Sequence, residues 1–165
     1  FEAPLGTRKN QITTHYDATG QAISVENSLN IWLEKLKSFA TSNRNSRIII
    51  FLSTPEMPNI YSEVLCRQEW FRPHPSDQCH IRIDRAEMVT TLAKMNARIV
   101  QAVAALPNVS IFDPMVTLCP EGQDVCRSDD GNTRLYSDED HLTKAGSERV
   151  AEAFSDYVER TGLVP

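Results

Sequence analysis

Apolar residues in this chain follow two patterns, one with the three- and four-residue spacing of a helix and one of short continuous runs. The helical spacing predicts three amphipathic helices, because it places the apolar side chains on one face of each. Asp84 and Thr143 precede the second and third helices as capping residues, and Pro107 ends the second. The apolar stripes consist of Trp32, Leu33, Leu36 and Phe39 over residues 25–41, of Met88, Leu92, Met95, Asn96, Ile99, Val103 and Leu106, and of Gly146, Val150, Ala153, Phe154 and Tyr157.

The continuous apolar runs predict two short strands that are buried on both faces. "RIIIFLS" at 47–53 ends before Pro55, and "NVSIFDP" at 108–114 ends in a proline. "TRLYSD" at 133–138 predicts a brief extended piece before the last helix. Buried strands that alternate with helices are typical of a three-layer α/β/α domain with a parallel sheet. Two strands cannot cover both helix layers, so we expect the chain to be the C-terminal part of one larger domain.

Two segments carry neither a helical nor a strand period. Residues 1–23 are polar and glycine-containing, which predicts an irregular lead-in to an α/β core at 24–162. Residues 54–81 predict a loop longer than about 15 residues, a length that is usually functional or disordered. The total of 165 residues suits a single domain.

Composition removes two classes of function. A net charge of −5 offers no positive field to nucleic acid or to an anionic membrane, so we expect no nucleic-acid partner. No apolar run approaches the roughly 20 residues of a membrane helix, and the chain does not open with the basic and apolar regions of a signal peptide. We therefore expect that any export of this domain depends on sequence outside it.

The four cysteines form two pairs that are close in sequence, Cys66 with Cys79 and Cys119 with Cys126. Neither pair has the spacing of a zinc knuckle, so we expect no metal and no cofactor. Of the three possible connectivities, the local one closes the shortest loops, which predicts two local disulfides and an oxidising compartment. Buried or free thiols are the alternative.

His141 follows three acids in "YSDEDHLT". A histidine that acts as a general base needs a carboxylate on one ring nitrogen, so that the other nitrogen accepts the proton. Asp138 stands three residues earlier and can reach Nδ1 across a tight turn, whereas we expect Asp140 to point elsewhere and Glu139 to lie in solvent. The alternative is a surface acidic turn that caps the last helix.

Other residues have weaker claims to a function. Trp70 and Phe71 in the long loop can stack on a sugar ring, or they can form an apolar plug. We expect Asn96 to make a buried hydrogen bond to a loop carbonyl and Gly146 to allow close helix packing beneath the His141 loop. The remaining histidines are expected to face solvent without an orienting carboxylate, and three arginines can either meet an acidic glycan or be merely solvated. These residues are His15, His74 and His80, and Arg67, Arg72 and Arg82.

The chain resembles a known family, most specifically over residues 111–146. "FDP", the cysteine-bracketed "LCPEGQDVC" and "LYSDEDHLTKAG" are similar to the last third of the SGNH domains fused to membrane-bound acyltransferase-3 proteins. The resemblance extends over about residues 24–162. It implies an SGNH/flavodoxin-like fold, with Asp138 as the orienting acid and His141 as the general base.

The resemblance also implies an activity. The fused proteins are bacterial O-acyltransferases of cell-surface or secreted glycans, so it implies a periplasmic domain with a glycan acceptor and an upstream transmembrane acyltransferase domain. It implies acetyl transfer by a Ser-His-Asp mechanism. The Gly-Asp-Ser block and the Gly and Asn of the oxyanion hole are missing from these residues. We therefore expect the nucleophile to lie upstream of Phe1 and this chain alone to be inactive. The alternatives are an SGNH/GDSL-type esterase fragment and a noncatalytic glycan-binding or scaffolding domain.

Overall fold

The computed structural model describes residues 15–16, 19–60, 66, 77–131 and 133–163. Helices and strands are interspersed along these residues, which confirms the predicted mixture of α and β structure. The elements are β1 (His15–Tyr16), β2 (Ala22–Ile23), α1 (Val25–Ser42), β3 (Ile48–Phe51), a 3₁₀ turn (Asp77–Cys79), β4 (Arg82–Asp84), α2 (Arg85–Val103), β5 (Val109–Phe112), α3 (Met115–Leu118), β6 (Val125–Arg127) and α4 (Lys144–Thr161).

The three predicted helices are α1, α2 and α4, and the two predicted caps are confirmed. The carboxylate of Asp84 accepts the backbone N–H groups of Ala86 at 2.8 Å and Glu87 at 3.1 Å, at the start of α2. The hydroxyl of Thr143 accepts the N–H of Gly146 at 3.1 Å, at the start of α4. No helix in the described residues has the length and apolarity that crossing a bilayer requires.

The two predicted strands form a parallel pair. β3 lies beside β5, with Ile48 opposite Val109 and Phe51 opposite Phe112. The pairing continues past the strands, because the N–H of Leu52 donates to the carbonyl of Phe112 at 2.9 Å. Both strands therefore end at the same edge, and the loops that follow them leave the sheet side by side.

Helices contact this pair on both of its faces. On one face Ile111 packs with Leu33 of α1 and Ile99 of α2. On the other face the ring centroid of Phe112 lies 5.3 Å from that of Phe154 in α4. Alternate residues of a strand point to opposite faces, which explains why neighbouring positions of β5 meet different helices.

Two further strand pairs were not predicted. β1 pairs with β2, and β4 pairs with β6, both antiparallel. The expectation of irregular chain is therefore wrong for residues 15–16 and 22–23, whereas the expected parallel pairing is confirmed for β3 and β5. These strands have only two or three residues each, too few for an alternating pattern to be visible in the sequence.

Several predicted core residues are exposed. Phe51 is 48% exposed, so β3 is not buried on both faces as expected. Trp32 and Phe39 are 44% and 57% exposed, because the face of α1 that meets the sheet is centred on Leu33 and Ala40. In the described part of the chain, β5 is the strand that pairs with β3, and the opposite edge of β3 has no partner.

Both predicted disulfides are confirmed. Cys66 and Cys79 have a Cα–Cα distance of 5.5 Å, and Cys119 and Cys126 have one of 4.9 Å. All four cysteines are thereby paired, which leaves no thiolate for a metal. The second disulfide lies in the larger hydrophobic core, whose buried members are Met57, Ile60, Met88, Met115, Leu118, Cys119, Cys126, Leu135 and Tyr136.

Gly146 allows α4 to approach this core, as expected. A Cβ atom at this position would overlap the backbone carbonyl of Leu135. The same carbonyl accepts the N–H of Thr143 at 2.9 Å. The first turn of α4 therefore packs directly on the extended segment that leads to His141.

Candidate active site

His141 lies in a tight turn that closes on itself. Tyr136 and Leu142 form an antiparallel bridge at its base. Ser137 donates to the carbonyl of His141 twice, from its backbone N–H at 2.8 Å and from its hydroxyl at 3.1 Å. Tyr136 is fully buried, so the turn, which we call the His141 turn (residues 136–142), stands on the hydrophobic core.

Asp138 contacts His141 as the spacing predicted. Its Oδ1 and Oδ2 atoms lie 2.9 and 3.0 Å from Nδ1 of His141. Oδ1 also accepts the backbone N–H of His141 at 2.9 Å and that of Asp140 at 3.2 Å. The side chains are 48% exposed for Asp138 and 73% exposed for His141, so solvent and substrates can reach the ring.

The pKa of Asp138 reflects these contacts. Partial burial raises the pKa, but hydrogen bonds from the ring and backbone of His141, together with those from Asp140, outweigh it and lower the pKa to about 2. Asp138 is therefore a carboxylate at neutral pH. A carboxylate only accepts hydrogen bonds, so Nδ1 of His141 is the donor in this contact, and in the neutral imidazole Nε2 is the acceptor nitrogen.

Asp140 also approaches the ring, contrary to expectation. Its Oδ1 lies 3.1 Å from Nδ1 of His141. Asp138, Asp140 and His141 thus place three possible ligand atoms within 4.8 Å of one another. The Asp140 and His141 side chains are exposed to solvent. The possible ligand atoms of Asp138 and His141 are also the atoms that form the hydrogen bonds between these two residues, so we assign no metal to this site.

Glu139 is not free in solvent, so this expectation is also wrong. Its carbonyl accepts the N–H of Met57 at 2.7 Å, and its Oε1 accepts the N–H of Asn59 at 3.0 Å. Both amides belong to residues 53–60, the segment that leaves the end of β3, which we call the β3 loop. The His141 turn therefore lies at the edge of the sheet where the parallel strands end.

A cavity of about 410 Å³ lies on the other side of the β3 loop. Glu56 and Pro58 line the cavity. The residues that follow each of them, Met57 and Asn59, direct their backbone amides at Glu139. Neighbouring residues of the β3 loop thus face the cavity and the His141 turn, respectively. The rest of the lining is Ser53, Arg82, Ile83, Asp84, Glu87, Met88, Thr91, Leu92 and Met95.

One polar expectation outside the turn is wrong. His80 was expected to lack an orienting carboxylate, yet its Nδ1 lies 3.0 Å from Oδ2 of Asp129. The partner is 49 residues away in sequence, so no local pattern signals it. The Oδ1 of Asn96 is buried without a partner among the described residues, and the expected hydrogen bond to a loop carbonyl, which Nδ2 would donate, stays a prediction. The hydroxyl of Tyr136 is also buried without a hydrogen-bond partner among the described residues, and this burial raises the pKa of Tyr136.

The remaining candidates divide into two groups. Arg82 lies in the cavity lining, which also contains the acidic side chains of Glu56, Asp84 and Glu87. Trp70 and Phe71 lie outside the described residues, as do His74, Arg67 and Arg72. Their expected contacts stay predictions.

Comparison with known proteins gives one match. A family model described as "SGNH domain (fused to AT3 domains)" matches residues 8–156. The matched range contains the His141 turn, the β3 loop and both disulfides. No curated protein and no solved structure matches the chain.

Proposed function

The chain belongs to the family of SGNH domains fused to AT3 domains, and from this premise we propose that it is part of a glycan O-acyltransferase. His141 is the general base and Asp138 the acid that orients it. The observation that carries the proposal is the contact of the Asp138 carboxylate with Nδ1 of His141, which orients the ring as a general base requires.

The reaction proceeds in two steps. Nε2 of His141 takes the proton of a serine hydroxyl that lies outside these 165 residues, and the serine oxygen attacks the acyl carbonyl. The tetrahedral intermediate expels the donor's leaving group, which takes the proton from His141, and an acyl-serine remains. A sugar hydroxyl then gives its proton to His141 and attacks the acyl carbonyl. The bond to the serine oxygen breaks, the serine takes the proton back from His141, and the sugar ester leaves. Acetyl is the proposed group.

The complete domain is a three-layer α/β/α structure in this proposal. Helices already contact both faces of the β3–β5 pair, Phe51 of β3 is 48% exposed, and one edge of β3 has no partner among the described residues. A further strand along that edge would extend the parallel sheet and carry the nucleophile at its carboxyl end, the edge at which parallel sheets hold their active sites. Residues 24–162 form the C-terminal part of that single domain.

The two disulfides point to an oxidising, extracytoplasmic location. We propose the periplasmic side of a bacterial inner membrane, with an upstream transmembrane acyltransferase domain in the same polypeptide. That domain supplies the acyl group from a cytoplasmic donor. Trp70 and Phe71 are proposed to stack on the glycan acceptor.

A second candidate function is hydrolysis by an SGNH/GDSL-type esterase. The 73% exposure of the His141 side chain favours it, because water reaches Nε2 as readily as a sugar hydroxyl does. The same dyad would then activate water in the second step. The two candidates differ in the molecule that receives the acyl group.

The test is a comparison of two histidines in the full-length protein. His141 and His80 both pair with an aspartate, so His80→Ala is the matched control for His141→Ala. Ester formation on the glycan and release of free acid are measured together. We expect His141→Ala to lose both and His80→Ala to retain both. Near-normal transfer by His141→Ala would refute the assignment, and free acid without glycan ester would favour the esterase.

A further inference from the structure

We infer that Glu139 is a positioning residue, which holds the His141 turn against the β3 loop and so sets where the base stands relative to the ends of the parallel strands. Its catalytic consequence rests on the proposed function. The two hydrogen bonds that support it, between segments about 80 residues apart, do not depend on the proposed function.

Glu139 binds the β3 loop with both its backbone and its side chain. The carbonyl oxygen accepts the N–H of Met57 at 2.7 Å, and Oε1 accepts the N–H of Asn59 at 3.0 Å. The two amides belong to alternate residues, so one residue of the turn spans three residues of the loop. A hydrogen bond from a backbone amide to a carboxylate is stronger than one to a neutral acceptor.

The β3 loop presents these amides in a fixed direction. The side chains of Pro55 and Met57 are fully buried, and Ile60 is 7% exposed, which anchors the loop on both sides of Asn59. Asn59 itself has a φ of +63°, in the left-handed region that asparagine and glycine tolerate best. The partner of Glu139 is therefore preformed rather than recruited.

The buried Tyr136 fixes the base of the turn on the core, and the hydrogen bonds of Ser137 and Asp138 fix the shape of the turn. Ser137 and Asp138 bond to atoms of the same turn, and so they would move with it. Glu139 bonds to a segment that continues directly from β3. Without it, the dyad would stay intact but shift as a unit, and a shift of about 1 Å in a catalytic group can cost on the order of 100-fold in rate.

The experiment separates position from charge in the full-length protein. Glu139→Gln keeps an oxygen acceptor for Asn59, Glu139→Ala does not, and Glu152→Ala removes an exposed glutamate of α4 as a control. We expect Glu139→Ala to lose on the order of 100-fold in kcat with KM within about threefold. Glu139→Gln and Glu152→Ala should stay within about threefold of the wild type in kcat.

Hydrogen–deuterium exchange of peptides that cover residues 54–60 gives a readout that does not depend on activity. Exchange should be faster in Glu139→Ala and unchanged in Glu139→Gln. At the other end of the contact, Asn59→Gly keeps the left-handed backbone and its amide, while Asn59→Val opposes that conformation. Asn59→Val should reproduce the loss in kcat, and Asn59→Gly should not.

The outcomes distinguish this inference from the proposed function. If His141→Ala abolishes transfer while Glu139→Ala and Asn59→Val keep full kcat, the positioning role is overturned and the proposed function stands. If His141→Ala stays active, the proposed function fails, and hydrogen–deuterium exchange alone decides whether Glu139 holds the β3 loop. Faster exchange at 54–60 in Glu139→Ala then upholds the structural role, and unchanged exchange overturns it.

Discussion

The carboxylate of Asp138 holds His141 by two of its nitrogens, the ring Nδ1 and the backbone N–H, each at 2.9 Å. One side chain therefore fixes both the path of the turn and the rotation of the ring. This double contact is possible because the two residues are three positions apart in a tight turn. It makes the orientation of the base a local property of the sequence.

Asp138 should make the free energy of unfolding depend on pH over a defined range. Its pKa is lowered to about 2 in the folded state, so it stabilises the fold above its ordinary value of about 3.9. That contribution is lost as the pH falls from about 4 to about 2. The side chain is 48% exposed, so we expect solvent screening to limit the effect to less than about 1 kcal/mol.

The measurement is the free energy of unfolding in urea at several pH values between about 2 and 5, for the wild type and Asp138→Asn. The substitution removes the titrating group and keeps an oxygen acceptor. The difference between the two proteins should shrink as the pH falls. Curves that run parallel over the whole window would contradict the assigned pKa.

Asp138 and Asp140 should differ in their effect on activity, although both approach the ring. Asp138 contacts both the ring and the backbone of His141, whereas Asp140 approaches the ring at Nδ1. We expect Asp138→Ala to lower kcat/KM by roughly 10⁴-fold and Asp140→Ala by less than about tenfold. Initial rates of acyl transfer in the full-length protein provide the measurement, and equal losses would show that the two aspartates share the role.

Gly146→Ala should destabilise the fold, although alanine is a better helix former than glycine by about 1 kcal/mol. The added Cβ would overlap the carbonyl of Leu135, a backbone atom that cannot rotate away. We expect a loss of about 3 kcal/mol in the free energy of unfolding. Ser147→Ala at the next, exposed position is the control and should change it by less than about 0.5 kcal/mol. A stabilised Gly146→Ala protein would rule out this packing.

The two disulfides should contribute unequally to stability. Loop closure predicts about 2–3 kcal/mol for each, slightly more for the longer Cys66–Cys79 loop. Cys119 and Cys126 are fully buried, so replacing both with alanine also leaves a cavity in the core. We expect that double variant to be the less stable one in urea unfolding, and the reverse order would mean that chain entropy dominates.

The features that the sequence predicted correctly are local ones. Asp138 reaches His141 over three residues, and Asp84 and Thr143 cap the helices that they directly precede. Both disulfides close short loops, with separations of 13 and 7 residues. In each case a fixed spacing determines the contact, whatever the rest of the fold does.

The features that the sequence did not predict depend on distant segments. Glu139 meets Asn59 across 80 residues, and His80 meets Asp129 across 49. Nothing in the spacing of these residues signals the contact. The "PN" pair at Pro58 and Asn59 is a turn signal that could have indicated the left-handed conformation of Asn59. It could not have indicated that the Asn59 amide bonds to Glu139. The exposure of Trp32 has the same origin, since helical spacing identifies an apolar stripe without showing which part of it is covered.

Gly146 gives the motif "HLTKAG" a double meaning. His141 is the proposed general base, whereas the glycine five residues later allows α4 to pack on Leu135. A relative that had lost its nucleophile would be free to change the histidine but would still be held to the glycine by steric exclusion. Searches that weight the glycine strongly will therefore collect domains that share this architecture, and under the proposed function the histidine with its aspartate distinguishes the enzymes among them.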